Sequence, residues 1–336
     1  MHRLLSLSCG SLQPSHLNAL QENGVKTVAD FISCNAERLA QKISLPEMVL
    51  CSLQQTVIVQ MAAFTLSGRD FYDDMMSRFG IISSGNNIGY LFFSLDELLD
   101  GGLYSGELTE IVGAAGAGKS QICMNIALST AMKTKKNVLY VDTGGSMSGT
   151  RIREMLQGWN SSLEDQEVCD ILSRISVIQA FDIFSVVDVL EGVRQKLHTE
   201  ENDDEMQQLR MIIVDSVAAV VSPILGGQQI HGHSLMVNLS RILKSLAVEH
   251  SVAVVITNNV VTDSSKSSFS TKPALGPTWA HVPNTRLFIQ RSPISQVDGT
   301  ERIATVIKSS RQKLLVSCTF YIHNSGLHSQ RPVSQN

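Results

Sequence analysis

The stretch IVGAAGAGKSQIC, residues 111–123, decides the fold class of this 336-residue chain. It satisfies each fixed position of the phosphate-binding loop pattern G-x-x-x-x-G-K-[ST], through Gly113, Gly118, Lys119 and Ser120. The apolar run ELTEIV precedes it and the helix-forming run KSQICMNIALSTAM follows it. Because this loop functions between a strand and a helix, the context predicts a nucleotide triphosphate site on an α/β fold.

The loop also predicts how a nucleotide would be held. Its glycines let successive backbone amides face the phosphates, and the helix that follows presents its positive end to them. We expect the cradle to consist of Gly113, Ala114, Ala115, Gly116, Ala117, Gly118, Lys119 and Ser120. Lys119 would reach the outer phosphates and Ser120 would ligate magnesium, so ATP and Mg²⁺ are the expected cofactors. The alternative is a glycine-rich turn without a ligand.

A second acidic element ends the buried run RMIIVD at Asp215. Ligands of parallel sheets bind at the carboxyl ends of the strands, so this carboxylate is expected beside the loop. There it would hold the magnesium shell through water. A lone aspartate after an apolar strand also suits a cap or a turn, and that alternative remains.

Beyond residue 107 the sequence alternates between apolar strands and amphipathic helices. We place strands at 107–112, 137–142, 175–180, 210–215, 252–257, 285–290, 302–308 and 316–322. The clearest helix spans 233–249, where leucines and an isoleucine recur at helical spacing. Near-continuous apolar strands predict a mostly parallel sheet covered on both faces. The closing strands have short connections, so they are expected to pair antiparallel at one edge.

Four regions are predicted along the chain. Residues 1–62 form a small all-helical domain that resembles a helix-hairpin-helix module, 63–82 a linker, 83–328 the α/β core and 329–336 a tail. Helix-hairpin-helix modules hold the DNA backbone through a hairpin that contains glycine. The expected hairpin here, KISLPE at 42–47, contains no glycine, so close approach of its backbone to a DNA phosphate is disfavoured. Docking to a protein partner is the favoured role for this domain.

Composition excludes several classes of protein. No apolar run reaches the about 18 residues of a membrane span, and no secretory pattern is seen, so we expect no membrane contact and an intracellular protein. The net charge of -4 excludes general attraction to nucleic acid by charge alone. The cysteines are scattered without metal-ligand spacing and are expected as reduced thiols, at positions Cys9, Cys34, Cys51, Cys123, Cys169 and Cys318.

With the loop and Asp215 placed, the order of parts resembles the RecA-type recombinase family in its eukaryotic form. The runs that carry the resemblance are residues 94–123, 137–143, 215–229, 252–260, 272–287 and 308–312. The resemblance implies a RecA-type P-loop ATPase core behind a small all-α N-terminal domain. It also implies homologous recombination and repair of DNA double-strand breaks, in the nucleus, together with other recombinase paralogues and single-stranded DNA.

The resemblance also assigns further site residues by their position in the chain. The resemblance makes Asn259 the polar residue that senses the outer phosphate, and makes 222–234 and 260–274 the two loops that face DNA. The second loop offers Lys266, Phe269 and Lys272, and Arg311 follows at the edge of the core. Few cations predict modest, salt-sensitive DNA binding. A solvated loop without DNA, and a solvent-facing Arg311, are the alternatives.

The chain departs from the family at the catalytic position. Active recombinases carry a glutamate two residues after the aspartate of the VD element, whereas here Asp142 is followed by Thr143 and Gly144. A positioned general base contributes about 10²- to 10⁴-fold in rate, so we expect ATP binding with weak, DNA-stimulated hydrolysis. Glu107 and Glu110 lie on the strand predicted before the phosphate-binding loop and could replace the missing base, but a structural role is favoured for both.

Two connecting segments also differ from the family. The filament-forming element Phe-x-x-Ala has its nearest match at FTLS, 64–67, with Ser67 in place of alanine. Residues 86–93 form an apolar insertion that suits a docking patch, a buried strand extension or an artefact of the gene model.

The favoured function is therefore an ATP-binding subunit of a paralogue complex. The alternatives are a self-assembling strand-exchange recombinase and a scaffold subunit that needs no nucleotide.

Overall fold

The computed structural model describes residues 14–25, 27–43, 45–61, 67–78, 80–84, 95–198, 208–225, 229–262, 271–293 and 300–329. The chain divides into two compact units. The first comprises Met1–Met75 with Gln195–Asn202, and the second Met76–Arg194 with Asp203–Asn336.

The described residues before position 79 are helical. The helices are α1 (Pro14–Glu22), α2 (Val28–Ser33), α3 (Ala36–Ile43), α4 (Glu47–Met61) and α5 (Gly68–Arg78). Leu20, Phe31, Leu50 and Val57 are completely buried in one apolar cluster. Gly24 ends α1 with a φ of 83°, the left-handed conformation that the sequence predicts for it. The predicted helical N-terminal region is confirmed.

Helix α5 occupies most of the segment that the sequence assigns to a linker. Its start is fixed by Ser67, whose hydroxyl accepts a hydrogen bond from the Asp70 N–H at 3.0 Å and donates to the Asp70 carboxylate at 2.6 Å. A serine cap of this kind stabilises a helix start. Ser67 therefore has a local structural role, while Phe64 lies outside the described residues.

Thirteen strands are found in the described residues. They are β1 (Ile81–Ile82), β2 (Leu103–Tyr104), β3 (Leu108–Gly113), β4 (Asn137–Asp142), β5 (Ile175–Gln179), β6 (Leu209–Asp215), β7 (Ala253–Asn258), β8 (Val260–Thr262), β9 (Thr271–Pro273), β10 (Thr285–Arg291), β11 (Glu301–Lys308), β12 (Ser317–His323) and β13 (Gly326–His328). All eight strands predicted from the sequence are present, with their ends shifted by one residue at most.

Nine strands form the main sheet, in the order β13-β12-β11-β10-β3-β7-β6-β4-β5. Strands β10, β3, β7, β6, β4 and β5 are paired parallel, whereas β10 to β13 pair antiparallel in succession. The predicted mostly parallel sheet with an antiparallel edge is confirmed. All six residues of β3 are buried, which requires cover on both faces of the sheet.

The second unit also contains eight helices among its described residues. They are α6 (Leu95–Leu98), α7 (Lys119–Ser129), α8 (Gly149–Trp159), α9 (Asp165–Ser173), α10 (Ile183–His198, whose end belongs to the first unit), α11 (Val217–Leu225), α12 (Gln229–His250) and α13 (Gly276–Ala280). One π-helical turn, Thr130–Thr134, continues α7. The helix predicted at 233–249 is the central part of α12.

Two expectations from composition concern the described residues as a whole. The five cysteines that lie among them are free thiols. None of the helices in the described ranges combines the length and the apolar character that crossing a bilayer demands.

Candidate nucleotide site

The phosphate-binding loop connects β3 to α7 in a conformation that depends on glycine. Gly116 and Gly118 have φ values of 71° and 104°, which residues with a Cβ rarely adopt. At Gly113 an added Cβ would lie 2.5 Å from the carbonyl oxygen of Ile289 on the neighbouring strand β10. The loop is thus fixed against the sheet by positions that admit only glycine.

Lys119, at the start of α7, is buried and turned back over the loop. Its Nζ donates to the carbonyl oxygens of Gly113 at 2.8 Å and Ala114 at 3.1 Å, and 9% of the residue is exposed. Burial lowers the pKa of the Lys119 ammonium, and the negative charge of Asp215 opposes that shift. A partly desolvated ammonium beside glycine-rich backbone fits an anionic phosphate group.

Asp215 ends β6, and one strand, β7, lies between β6 and β3. One of its carboxylate oxygens accepts hydrogen bonds from the Tyr140 hydroxyl at 2.8 Å and the Ser146 hydroxyl at 3.3 Å. The other accepts from the Thr257 hydroxyl. These hydroxyl donors orient a buried carboxylate whose oxygens are hard ligands suited to magnesium or its water shell.

The turn after β4 is organised by Asp142, which is completely buried. Its carboxylate accepts from the backbone N–H groups of Gly144 at 3.1 Å, Ser146 at 3.2 Å and Met147 at 3.0 Å. Asp142 therefore shapes the turn. An added Cβ at Gly144 would meet no atom within 4 Å, so a side chain at this position would enter open space.

Comparison with known proteins places this geometry in a family. The family model for Rad51 matches residues 89–330. The chain belongs to the Rad51 family. A second model, described as the RAD51D N-terminal domain, matches residues 1–60. Membership of the RecA-type recombinases, with a Rad51-type ATPase domain, is therefore confirmed.

Individual Rad51 relatives cover nearly the whole chain. It is 41% identical over 303 residues to DNA repair protein RAD51 homolog 4 of Bos taurus, covering 90% of each chain. The Mus musculus protein of the same name is 38% identical over 325 residues, covering 96% of this chain and 95% of its own. DNA repair and recombination protein RadA of Aeropyrum pernix is 27% identical over 305 residues, covering 88% of this chain and 87% of its own. The expected class, RecA-like proteins of DNA repair and recombination, is confirmed.

Within this Rad51 core, the two glutamates considered as replacement bases have other partners. Glu110 on β3 is completely buried and accepts hydrogen bonds from Asn258 at 2.8 Å, Trp279 at 2.8 Å and the Arg286 guanidinium. Glu107 accepts two hydrogen bonds from Arg311. These contacts support the structural role for both carboxylates.

Arg311, a predicted DNA contact, forms its own cluster in the core. Its Nε and Nη2 lie 2.9 Å and 3.0 Å from the two carboxylate oxygens of Glu107, and its guanidinium lies 3.4 Å from the centre of the Tyr104 ring. A bidentate ion pair of this kind is strong and directional. Contact with DNA would compete with this pair, and the DNA role of Arg311 stays a prediction.

The structure describes only part of the predicted DNA loops. Strands β8 and β9 pair antiparallel as the two arms of the second loop, and Lys272 is exposed on β9. The carbonyl oxygen of Asn259, just before β8, accepts from the Ala274 N–H at 2.9 Å, so the predicted sensor joins the base of this loop. Lys266 and Phe269 lie outside the described residues, as do 86–93 and residues 226–228 of the first loop.

Two arginines near the loop are not predicted from the sequence. Arg291 at the end of β10 and Arg302 on β11 donate hydrogen bonds to the carbonyl oxygens of Gly116 and Ala117. The sequence signal that could have indicated them is the loop itself. Its variable positions are alanine or glycine, so they offer no polar side chain of their own. Polar contacts on this side of the loop therefore come from distant strands.

Proposed function

We propose that this chain is an ATP-binding subunit of a complex of recombinase paralogues that acts in homologous recombination repair of DNA double-strand breaks in the nucleus. The observation that carries the proposal is the buried Lys119, folded over a glycine-dependent loop, with Asp215 two strands away in the same sheet. In a Rad51 family core this arrangement favours nucleotide binding over a turn without a ligand.

In this proposal the nucleotide is ATP with Mg²⁺. The amides of 113–120 and the Lys119 ammonium bind the phosphates, and Ser120 and Asp215 hold the magnesium. Magnesium supplies charge neutralisation between the phosphate oxygens when it is bound. Asn259 links the outer phosphate to the arms of the second DNA loop, because its own carbonyl is bonded to Ala274 at the far end of that loop.

Hydrolysis in this proposal is weak and is stimulated by single-stranded DNA. No carboxylate is available at position 144, and Asp142 is occupied by three backbone N–H groups of the turn. The chain therefore orders its interfaces through ATP binding, and slow hydrolysis ends the ATP-bound state. Lys266, Phe269, Lys272 and Arg311 are the proposed DNA contacts, and few cations make the binding salt-sensitive.

The proposed partners are other paralogues. Ser67 stands where filament formers carry alanine. Its hydroxyl caps α5 by accepting a hydrogen bond from the Asp70 N–H. The relatives of this chain also include DNA repair proteins RAD51 homolog 2 of Mus musculus, at 28% identity, and RAD51 homolog 3 of Cricetulus griseus, at 23%. A family of several diverged paralogues is consistent with assembly of different subunits.

The test is Lys119→Ala, measured by titration with a fluorescent ATP analogue and by recovery of the paralogue complex. We expect at least about tenfold weaker binding, because a charge-assisted contact to phosphate is lost, together with poorer assembly. Lys133→Ala is the matched control, since Lys133 is exposed in the π-helical turn that continues α7. If the unmodified chain showed no saturable binding, the proposal would be wrong and the scaffold alternative would stand.

A further inference from the structure

The two arginines that contact the phosphate-binding loop differ in their environment. Arg302 is 7% exposed and donates from Nε to the Ala117 carbonyl oxygen at 2.9 Å and from Nη1 to the Glu301 carbonyl oxygen at 2.9 Å. Arg291 is exposed, and its guanidinium reaches the Gly116 carbonyl oxygen through two longer contacts of 3.3 Å and 3.2 Å. Arg302 thus fixes the loop, while Arg291 rests on it loosely.

The pairing of these residues breaks a local rule of sheet structure. Arg291 and Arg302 are direct cross-strand partners in the antiparallel ladder of β10 and β11. Like charges in that position destabilise a sheet. Burial, with a further contribution from the charge of Arg291, lowers the pKa of Arg302. Such conflicts between local rule and fold are expected at functional sites.

The position of the Arg291 side chain is matched to the loop. A Cβ added at Gly116 would lie 2.8 Å from Nη2 of Arg291. The guanidinium therefore occupies the space that a side chain at position 116 would fill. Ala114, Ala115 and Ala117 carry no polar side chain either, so among the described residues Arg291 supplies an exposed polar group beside Gly116.

We infer that Arg291 binds the phosphate chain of the nucleotide, supplied from β10 in place of a polar side chain on the loop. The inference rests on the proposed function of ATP binding. Phosphate is the favoured ligand because a planar guanidinium offers two parallel donors to phosphate oxygens and two adjacent cations attract a multiply charged anion. The exposed side chain needs only to exchange the long contacts to Gly116 for contacts to phosphate.

The experiment measures binding of a fluorescent ATP analogue, and its competition by inorganic tripolyphosphate, to the full chain. We expect Arg291→Ala to weaken both ligands by about tenfold, and Arg291→Lys, which keeps the charge but loses the fork, by less. Arg153→Ala is the matched control, because Arg153 is an exposed arginine on α8 paired only with the exposed Asp165 among described contacts. Thermal melting confirms that each variant is folded.

The outcomes separate this inference from the proposed function. If Lys119→Ala weakened binding while Arg291→Ala bound both ligands like the unmodified chain, the inference would be overturned and ATP binding would stand. A loss of ATP affinity with unchanged tripolyphosphate affinity would assign Arg291 to the nucleoside and overturn the phosphate assignment. Absence of saturable binding by the unmodified chain would remove both.

Discussion

At the scale of single residues, the proposal of ATP binding with weak hydrolysis depends on Gly144. Asp142 shapes the turn by accepting three backbone N–H groups, and it does so without any side chain at position 144. The turn therefore forms without a side chain at position 144. The proposal of weak hydrolysis rests on the absence of a carboxylate there.

We predict that Gly144→Glu raises ATP turnover by at least about tenfold, because a positioned general base contributes 10²- to 10⁴-fold in favourable cases. The side chain should be accommodated, since no atom lies within 4 Å of the added Cβ. The measurement is the release of phosphate with and without single-stranded DNA. Gly149→Glu is the matched control: it places the same charge in open space at the first residue of α8.

An unchanged turnover in Gly144→Glu, with ATP affinity retained, would show that the missing glutamate is not what limits hydrolysis. An equal rise in the Gly149→Glu control would mean that added negative charge, rather than the position of a base, is responsible. Either result would contradict the prediction.

At the scale of elements, the strands around β3 are joined by a buried charged cluster. Glu110 of β3 bonds Asn258 of β7, Arg286 of β10 and Trp279 of α13, so one carboxylate ties three neighbouring elements. Glu107, on the preceding loop, forms a comparable pair with Arg311, but its side chain is 17% exposed against 0% for Glu110. The two pairs differ mainly in burial.

We predict that Glu110→Ala lowers the free energy of unfolding by about 3 to 5 kcal/mol, because it leaves the Arg286 cation buried without its carboxylate. Glu107→Ala should cost less, about 1 to 2 kcal/mol, since its bidentate pair is partly exposed and solvent screens it. Denaturant unfolding of the two variants measures both values. A double variant, Glu110→Met with Arg286→Met, should recover part of the loss, since apolar replacement of both partners leaves no buried charge.

An equal loss of unfolding free energy in Glu110→Ala and Glu107→Ala would contradict the prediction that burial makes the Glu110 pair the more costly one to break. A double variant that is less stable than Glu110→Ala alone would also contradict it. That result would mean that the ion pair itself, and not the avoidance of an unpaired buried charge, stabilises the fold.

At the scale of the whole molecule, the expected behaviour is assembly with different subunits. We predict that the purified chain, with ATP and single-stranded DNA, forms no regular filaments in the electron microscope. The physical reason is that Ser67 serves as the cap of α5, in place of the alanine of filament-forming linkers. An authentic filament-forming recombinase under the same conditions is the positive control. Regular filaments with efficient strand exchange would favour the self-assembling alternative.

Much of the fold follows from the sequence, because its signals are local. The eight predicted strands were apolar runs long enough for their pattern to show, and Gly24 and the phosphate-binding loop are set by short-range backbone geometry. Strands β1, β2, β8, β9 and β13 contain two or three residues each and were not predicted. A segment so short has no periodicity, and it is a strand only because a distant partner pairs with it.

The sequence by itself determined the phosphate-binding loop and the acidic end of β6, because each consists of consecutive residues. Only the tertiary structure decided where the charged side chains go. Arg291 and Gly116 are 175 residues apart, and Glu110 and Arg286 are 176 apart. They meet because β10 lies beside β3 in the sheet, and that adjacency depends on the burial of the whole core, which no local pattern of residues encodes.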